Sequence, residues 1–131
     1  MAVDREGPIQ EAIVSYLRLI FPEPQIVHHA RNEVNKRGKH IAMELSKAKR
    51  RGAVKGFPDI VVLPFSTLGA MFFEVKAEGR YANPSQRDIH DRLRALGYRI
   101  AVVRSIDDVR EVLTEWGIPS HDVSQKSAPD D

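Results

Sequence analysis

The sequence predicts an α/β fold, a mixed β-sheet flanked by helices. Three features carry that expectation. Ile9, Ile13, Tyr16, Leu17 and Ile20 recur at helical spacing in the first segment. Two short apolar runs, Asp59–Leu63 and Ala70–Lys76, are separated only by a turn. A helical segment from Asn83 to Leu96 then falls between two strand-like runs, as in a right-handed crossover.

Each element follows from local signals. Pro8 suits the first turn of a helix, where its missing N–H is not needed, and Phe21-Pro22 stops that helix. Gln25–Ala30 reads as a short strand. Within the basic stretch 31–55, Ile41, Leu45 and Ala48 suggest a short helix ended by Gly52. Asp59–Leu63, held between Pro58 and Pro64, reads as a buried strand. Ser66–Gly69 is a turn and Ala70–Lys76 the second arm of a hairpin, followed by a loop over Glu78–Tyr81. Asn83 caps the next helix, with Pro84 at its first position, Gln86 at its third and Ile89, Leu93 and Leu96 as its apolar stripe. Gly97 ends it, and Tyr98–Val103 is a further strand. Ser105 with Asp108 resembles a capping box for a last helix carrying Ile106, Val109, Leu113 and Trp116, closed by Gly117 and Pro119. Residues 1–119 are thus expected to form one domain, and the polar residues 120–131 a disordered tail.

The composition narrows the function classes. With 131 residues, the chain suits one ordinary domain. No apolar run approaches the roughly 20 residues of a membrane helix. The polar, charged N-terminal residues do not read as a secretory signal, and none is expected. Cysteine is absent, which excludes disulfides, thiolate nucleophiles and cysteine zinc sites, and makes a reducing cytoplasmic setting the expectation. The five histidines show no H-x-x-x-H spacing, so a helical zinc site is not expected, and His28 and His29 read as a strand edge or loop. The net charge of +2 hides an asymmetry. Residues 28–56 hold nine Lys or Arg and two Glu, a balance of +7, against −5 for the rest. Such a segment suggests a polyanion-facing surface, although a charge run alone is more often a solvated face.

The sharpest signal is Pro58-Asp59 followed by Glu74-Val75-Lys76. Side chains alternate along a strand, so Glu74 and Lys76 share one face, expected to line a cleft, while Phe73 and Val75 face the core. If the two runs are antiparallel partners, Asp59 at the start of one lies beside Glu74 and Lys76 at the end of the other. Phosphodiester hydrolysis needs an attacking water and neutralisation of phosphoryl charge, much of which Mg²⁺ can supply. That ion prefers oxygen and usually takes one or two carboxylates with substrate and water. Asp59 and Glu74 are the candidate ligands, the Val75 carbonyl a third oxygen, and Lys76 the group that would orient the water, help deprotonate it or stabilise the phosphorane-like charge. A lone E-x-K arises by chance about half the time in a chain this size. What carries weight is the joint placement, Pro-Asp opening one strand and E-x-K closing the next.

These segments resemble the VRR-NUC family, the virus-type replication and repair nucleases of the PD-(D/E)xK superfamily. The resemblance runs from about Arg5 to Trp116. It rests on Gly56-Phe57-Pro58-Asp59-Ile60-Val61-Val62, Phe73-Glu74-Val75-Lys76 and Pro84-Ser85-Gln86-Arg87. It continues through Leu93-Arg94-Ala95-Leu96-Gly97-Tyr98 and Val102-Val103-Arg104-Ser105. It implies a restriction-endonuclease-like core, with Asp59, Glu74 and the Val75 carbonyl as ligands of Mg²⁺ or Mn²⁺. It makes Lys76 catalytic and Gln86 a supporting glutamine, although Gln86 also reads as the partner of the Asn83 cap. The family places a glutamate on the first helix before an Ile-Gln pair. Glu6, ahead of Ile9-Gln10, is the match chosen as a further metal ligand, with Glu11 the competitor. Arg31-Asn32 matches an element ahead of Pro-Asp, and the basic approach of Lys47, Lys49, Arg50, Arg51 and Lys55 is expected to contact DNA phosphates.

The leading expectation is a metal-dependent DNA endonuclease of replication or repair in a bacterial or phage-infected cell. Branched or Holliday-junction DNA would be its substrate and a homodimer its form. A restriction enzyme or a resolvase of another family is a second reading, weakened by the lack of a target-recognition domain. A non-catalytic DNA-binding module using residues 31–55 is a third, and the intact Asp59, Glu74 and Lys76 set argues against it.

Overall fold

The computed structural model describes residues 5–30, 47 and 50–119. Among the described residues the elements with defined bounds are α1 (Glu6–Ile20), β1 (Ile26–His29), β2 (Ile60–Leu63), β3 (Met71–Val75), α2 (Pro84–Ala95), β4 (Arg99–Val103) and α3 (Ile106–Glu115). The strands form one sheet in the order β1-β2-β3-β4. β1 and β2 are antiparallel, β2 and β3 form the expected antiparallel hairpin, and β4 lies parallel to β3. The sheet is therefore mixed, and α2 is the crossover that a parallel pair requires.

Alternation along β3 divides the interior. Met71, Phe73 and Val75 face one side, where α1 contributes Ile13, Tyr16 and Leu17 and α3 contributes Val109 and Leu113. Phe72 faces the other side with Ile100, against Ile89 and Leu93 of α2. All five residues of β3 are buried, as expected of a strand covered on both faces. Glu74 sits on the α2 side of this strand and is only 1% exposed. The expected cleft is thus a covered pocket at Glu74, because α2 packs over the position that alternation alone would leave open.

The helix ends obey their sequence signals. Asn83 and Gln86 form a reciprocal capping box, each side chain accepting from the other's backbone N–H at 2.9 Å. α2 closes with Gly97 N–H on Arg94 and Tyr98 N–H on Leu93, the pairing of a Schellman motif. That closure leaves Leu96 at the cap, 72% exposed, so it does not complete the apolar stripe. At α3, Ser105 accepts from Asp108 N–H as predicted, but the Asp108 carboxylate accepts from Arg104 N–H, one residue ahead of the usual box. The helix expected over Ile41–Ala48 falls largely outside the described residues, as does the tail 120–131. Lys47 and Arg50 are helical, with Arg51 N–H on the Lys47 carbonyl at 3.1 Å.

Candidate active site

The β2–β3 register pairs Ile60 with Phe73, which sets Asp59 beside the end of β3. Asp59 ties three strands at this corner. Its carbonyl accepts from Ala30 N–H at 2.7 Å, and its Oδ2 accepts from Val75 N–H at 2.8 Å. The side chain thereby takes over from the β2 backbone one residue beyond the ladder. Asp59 is 8% exposed, and burial of a carboxylate requires such partners.

Glu74 lies next to it. Its Oε2 accepts from Gln86 Nε2 at 3.1 Å, its Oε1 stands 3.3 Å from His90 Nε2, and its carboxyl is a hydrogen-bond neighbour of Asp59. Burial pushes the Glu74 carboxyl up to about 7, against the pull of Asp59 and the Lys76 charge and with a small push from Glu6. Burial also holds the His90 imidazole below its ordinary value, and the Arg94 charge adds to this. Which of the two groups donates across the 3.3 Å contact between His90 and Glu74 is set by the imidazole tautomer and by the proton on the carboxyl.

Lys76, half-buried, follows two residues after Glu74, with its N–H on the Val103 carbonyl at 3.0 Å. The first turn of α1 is laced to the chain leaving β3. Ala77 N–H points to Glu6 Oε2 at 3.4 Å, and Arg5 donates to the Glu78 carbonyl at 3.0 Å. Glu6 is half-buried here, whereas Glu11 is exposed. The fold thus gathers Glu6, Asp59, Glu74, Lys76 and Gln86 at one corner. Val75 joins them through its backbone, its side chain being buried in the core. Gln86 fills both of its expected places, closing the Asn83 cap through Oε1 and holding Glu74 through Nε2.

His90 is the residue that sequence reasoning missed. Its signal was its spacing. Four residues after Gln86, it lies on the same face of α2 and meets the same carboxylate.

Of the basic residues expected to meet DNA, Lys47, Arg50, Arg51 and Lys55 are exposed, while Arg31, Asn32 and Lys49 lie outside the described residues. The segment ends at Gly56, whose φ is +86°. A Cβ there would stand 2.5 Å from the Ser85 carbonyl oxygen and 2.9 Å from Gln86 N. Only glycine lets the basic segment run this close to the first turn of α2 and deliver Phe57 against Phe72, edge to face at 5.8 Å.

Among the described residues, no three His, Asp or Glu side chains form a ready-made metal cage. The donor chemistry nevertheless fits a hard divalent cation such as Mg²⁺. This ion uses one or two carboxylates and leaves its other positions to water and substrate. Two adjoining carboxyls, one of them reluctant to ionise, together with a third close by, are what a cation would stabilise.

A mixed sheet bearing this acidic corner, with a crossover helix packed over it, is an α/β core of nuclease type. The chain belongs to the VRR-NUC domain family, whose model matches residues 5–107. Two solved structures are similar over most of their length. A "VRR_NUC domain protein" shares 21% identity, covers 88% of this chain and 90% of its own, and superposes with a TM-score of 0.62. A "VRR_NUC domain" shares 25% identity, with 84% and 94% covered and a TM-score of 0.55. No curated protein sequence matches. The matched span takes in every residue of the acidic corner and the whole sheet.

Proposed function

We propose that the protein is a metal-dependent DNA endonuclease whose reaction centre is Asp59, Glu74 and Lys76. The buried Asp59–Glu74 pair beside Lys76 is the observation that carries this reading, since an acidic corner of this kind is costly to the fold without a task. Asp59, Glu74 and the Val75 carbonyl would hold Mg²⁺ or Mn²⁺, with Glu6 as a further ligand. When bound, such an ion supplies charge neutralisation at the scissile phosphate. Lys76 positions the attacking water and helps remove its proton. Gln86 and His90 hold the Glu74 carboxylate in one orientation. The exposed Lys47, Arg50, Arg51 and Lys55 approach the backbone of the DNA. Action on branched or Holliday-junction DNA by a homodimer in replication or repair belongs to the same reading. Ile26 and Leu63, paired in register and both exposed, would suit a second copy.

The first test compares four-way junction, flap, single-stranded and linear duplex DNA with Mg²⁺, with Mn²⁺ and with EDTA. Metal-dependent cutting is expected, reduced by a factor of about 10² to 10⁴ in Lys76→Ala, as for loss of a proton-transfer group. Cutting that Lys76→Ala leaves intact would overturn the assignment. Salt-sensitive binding without any cutting would favour the binding-module reading.

The two glutamates of α1 offer a second check. Glu6→Gln is expected to cut metal-dependent activity severely, because Glu6 reaches the chain leaving β3. Glu11→Gln, on the exposed face, is expected to leave it near wild type. The reverse order would exchange their roles.

A further inference from the structure

Outside the acidic corner, a groove runs between the loop before α2, the side of α2 and the end of β4. It is lined by Tyr81, Ala82, Arg87, His90, Arg94 and Arg104, with Asp91 as its acidic residue. His90 belongs to both places. It lines the groove and hydrogen-bonds Glu74, so the groove lies one side chain away from the acidic corner.

The cations of this groove are preset. Arg104 donates to the Arg80 carbonyl at 2.6 Å and lies over the Tyr81 ring, 5.3 Å from its centroid. Arg87 is held by the Ala82 carbonyl. Arg94, exposed, meets Asp91 at 3.5 Å, an exposed contact of little worth. Tyr81 is 76% exposed. With Arg104 against one face, its ring presents the other to solvent. Three arginines beside it select a polyanion with a flat face.

We propose that this groove binds an unpaired stretch of DNA leading to the scissile phosphate, one base stacking on Tyr81 and phosphates meeting Arg87 and Arg94. The inference rests on the nuclease reading only in placing the scissile phosphate at Glu74. Unpaired DNA is singled out over duplex by the ring, because a paired base has its faces covered by its neighbours and offers Tyr81 nothing. The substrate class is therefore DNA with a single-stranded arm next to the cut.

The test uses the full chain and fluorescence anisotropy in EDTA, so that binding is read without cutting. The probes are a labelled single strand, a splayed-arm duplex and a blunt duplex. Tyr81→Ala is expected to weaken single-strand and splayed-arm binding about five- to a hundredfold, the size of one base–aromatic stack, and to leave blunt duplex within about twofold. Tyr81→Phe keeps the ring and is expected to bind like wild type. Arg94→Ala is expected to lower the salt slope for the single strand by about 0.7, the loss of one phosphate contact. Tyr81→Ala that leaves single-strand affinity unchanged, or weakens blunt duplex equally, overturns the proposal. A parallel digestion with Mg²⁺ separates the two readings. Binding that depends on Tyr81 in a protein that cuts nothing supports the groove and removes the nuclease assignment. Cutting of the splayed substrate that ignores Tyr81→Ala does the opposite.

Discussion

Glu74→Gln is expected to abolish cleavage, by about a thousandfold, and at the same time to stabilise the metal-free protein at pH 8. The gain in stability comes from burial of the carboxyl. Burial raises the Glu74 carboxyl from 4.5 to about 7, so the folded protein holds a proton there that the unfolded chain gives up. Stability from this group is unaffected below about pH 4.5. It falls as the pH rises from there to about 7, and the full cost remains at higher pH. The shift corresponds to roughly 3 kcal/mol. His90 runs the other way, since its lowered value costs stability only where the unfolded chain is protonated, below pH 6.5. The difference between wild type and Glu74→Gln, followed from pH 5 to 8.5, isolates the carboxyl. The variant amide fits the pocket because Gln86 still finds an oxygen, and His90 in its Nδ1–H tautomer can accept the new N–H. Mg²⁺ is expected to restore the wild type at pH 8 and to leave the variant unchanged. Denaturant melts showing a pH-independent difference, or a variant less stable than wild type at pH 8, would overturn this account of the pocket.

Gly56→Ala is expected to destabilise by several kcal/mol and to impair the site with it, whereas Gly52→Ala is expected to cost about 1 kcal/mol. Both glycines have positive φ, +86° and +98°. At Gly52 an added Cβ meets nothing within 4 Å, so only the backbone strain is felt. At Gly56 it meets the Ser85 carbonyl at 2.5 Å, backbone that cannot turn aside. Either the basic segment or the first turn of α2 must shift, and Gln86 shifts with the latter. Urea melts of the two variants give the comparison, and equal losses would sink it.

The local signals account for how much was legible. Pro-Asp opening an apolar run and E-x-K closing the next were enough for the hairpin, and its register brings Asp59 to Glu74. Asn83, Pro84 and Gln86 set the start of α2 through contacts within four residues. The depth of Glu74 was not legible, because it depends on where α2 lies across the sheet, which is a packing outcome. For the same reason His90 read as an unremarked helical residue, although its spacing from Gln86 was in plain view. Leu96 misled for a different reason. Its place in the stripe assumed that the helix runs on past it, but Leu96 is the cap residue and the chain reverses immediately after it, at Gly97.

The double duty of Gln86 ties two processes together. One amide group both finishes the first turn of α2 and restrains the Glu74 carboxylate. When that turn frays, as helix ends do, Glu74 loses a donor at the same instant. Opening of the helix end and loss of the reactive arrangement are then one cooperative event with one free energy. The amide protons of Asn83 and Gln86 would report in hydrogen exchange how often the Glu74 pocket is assembled, without any ligand being present.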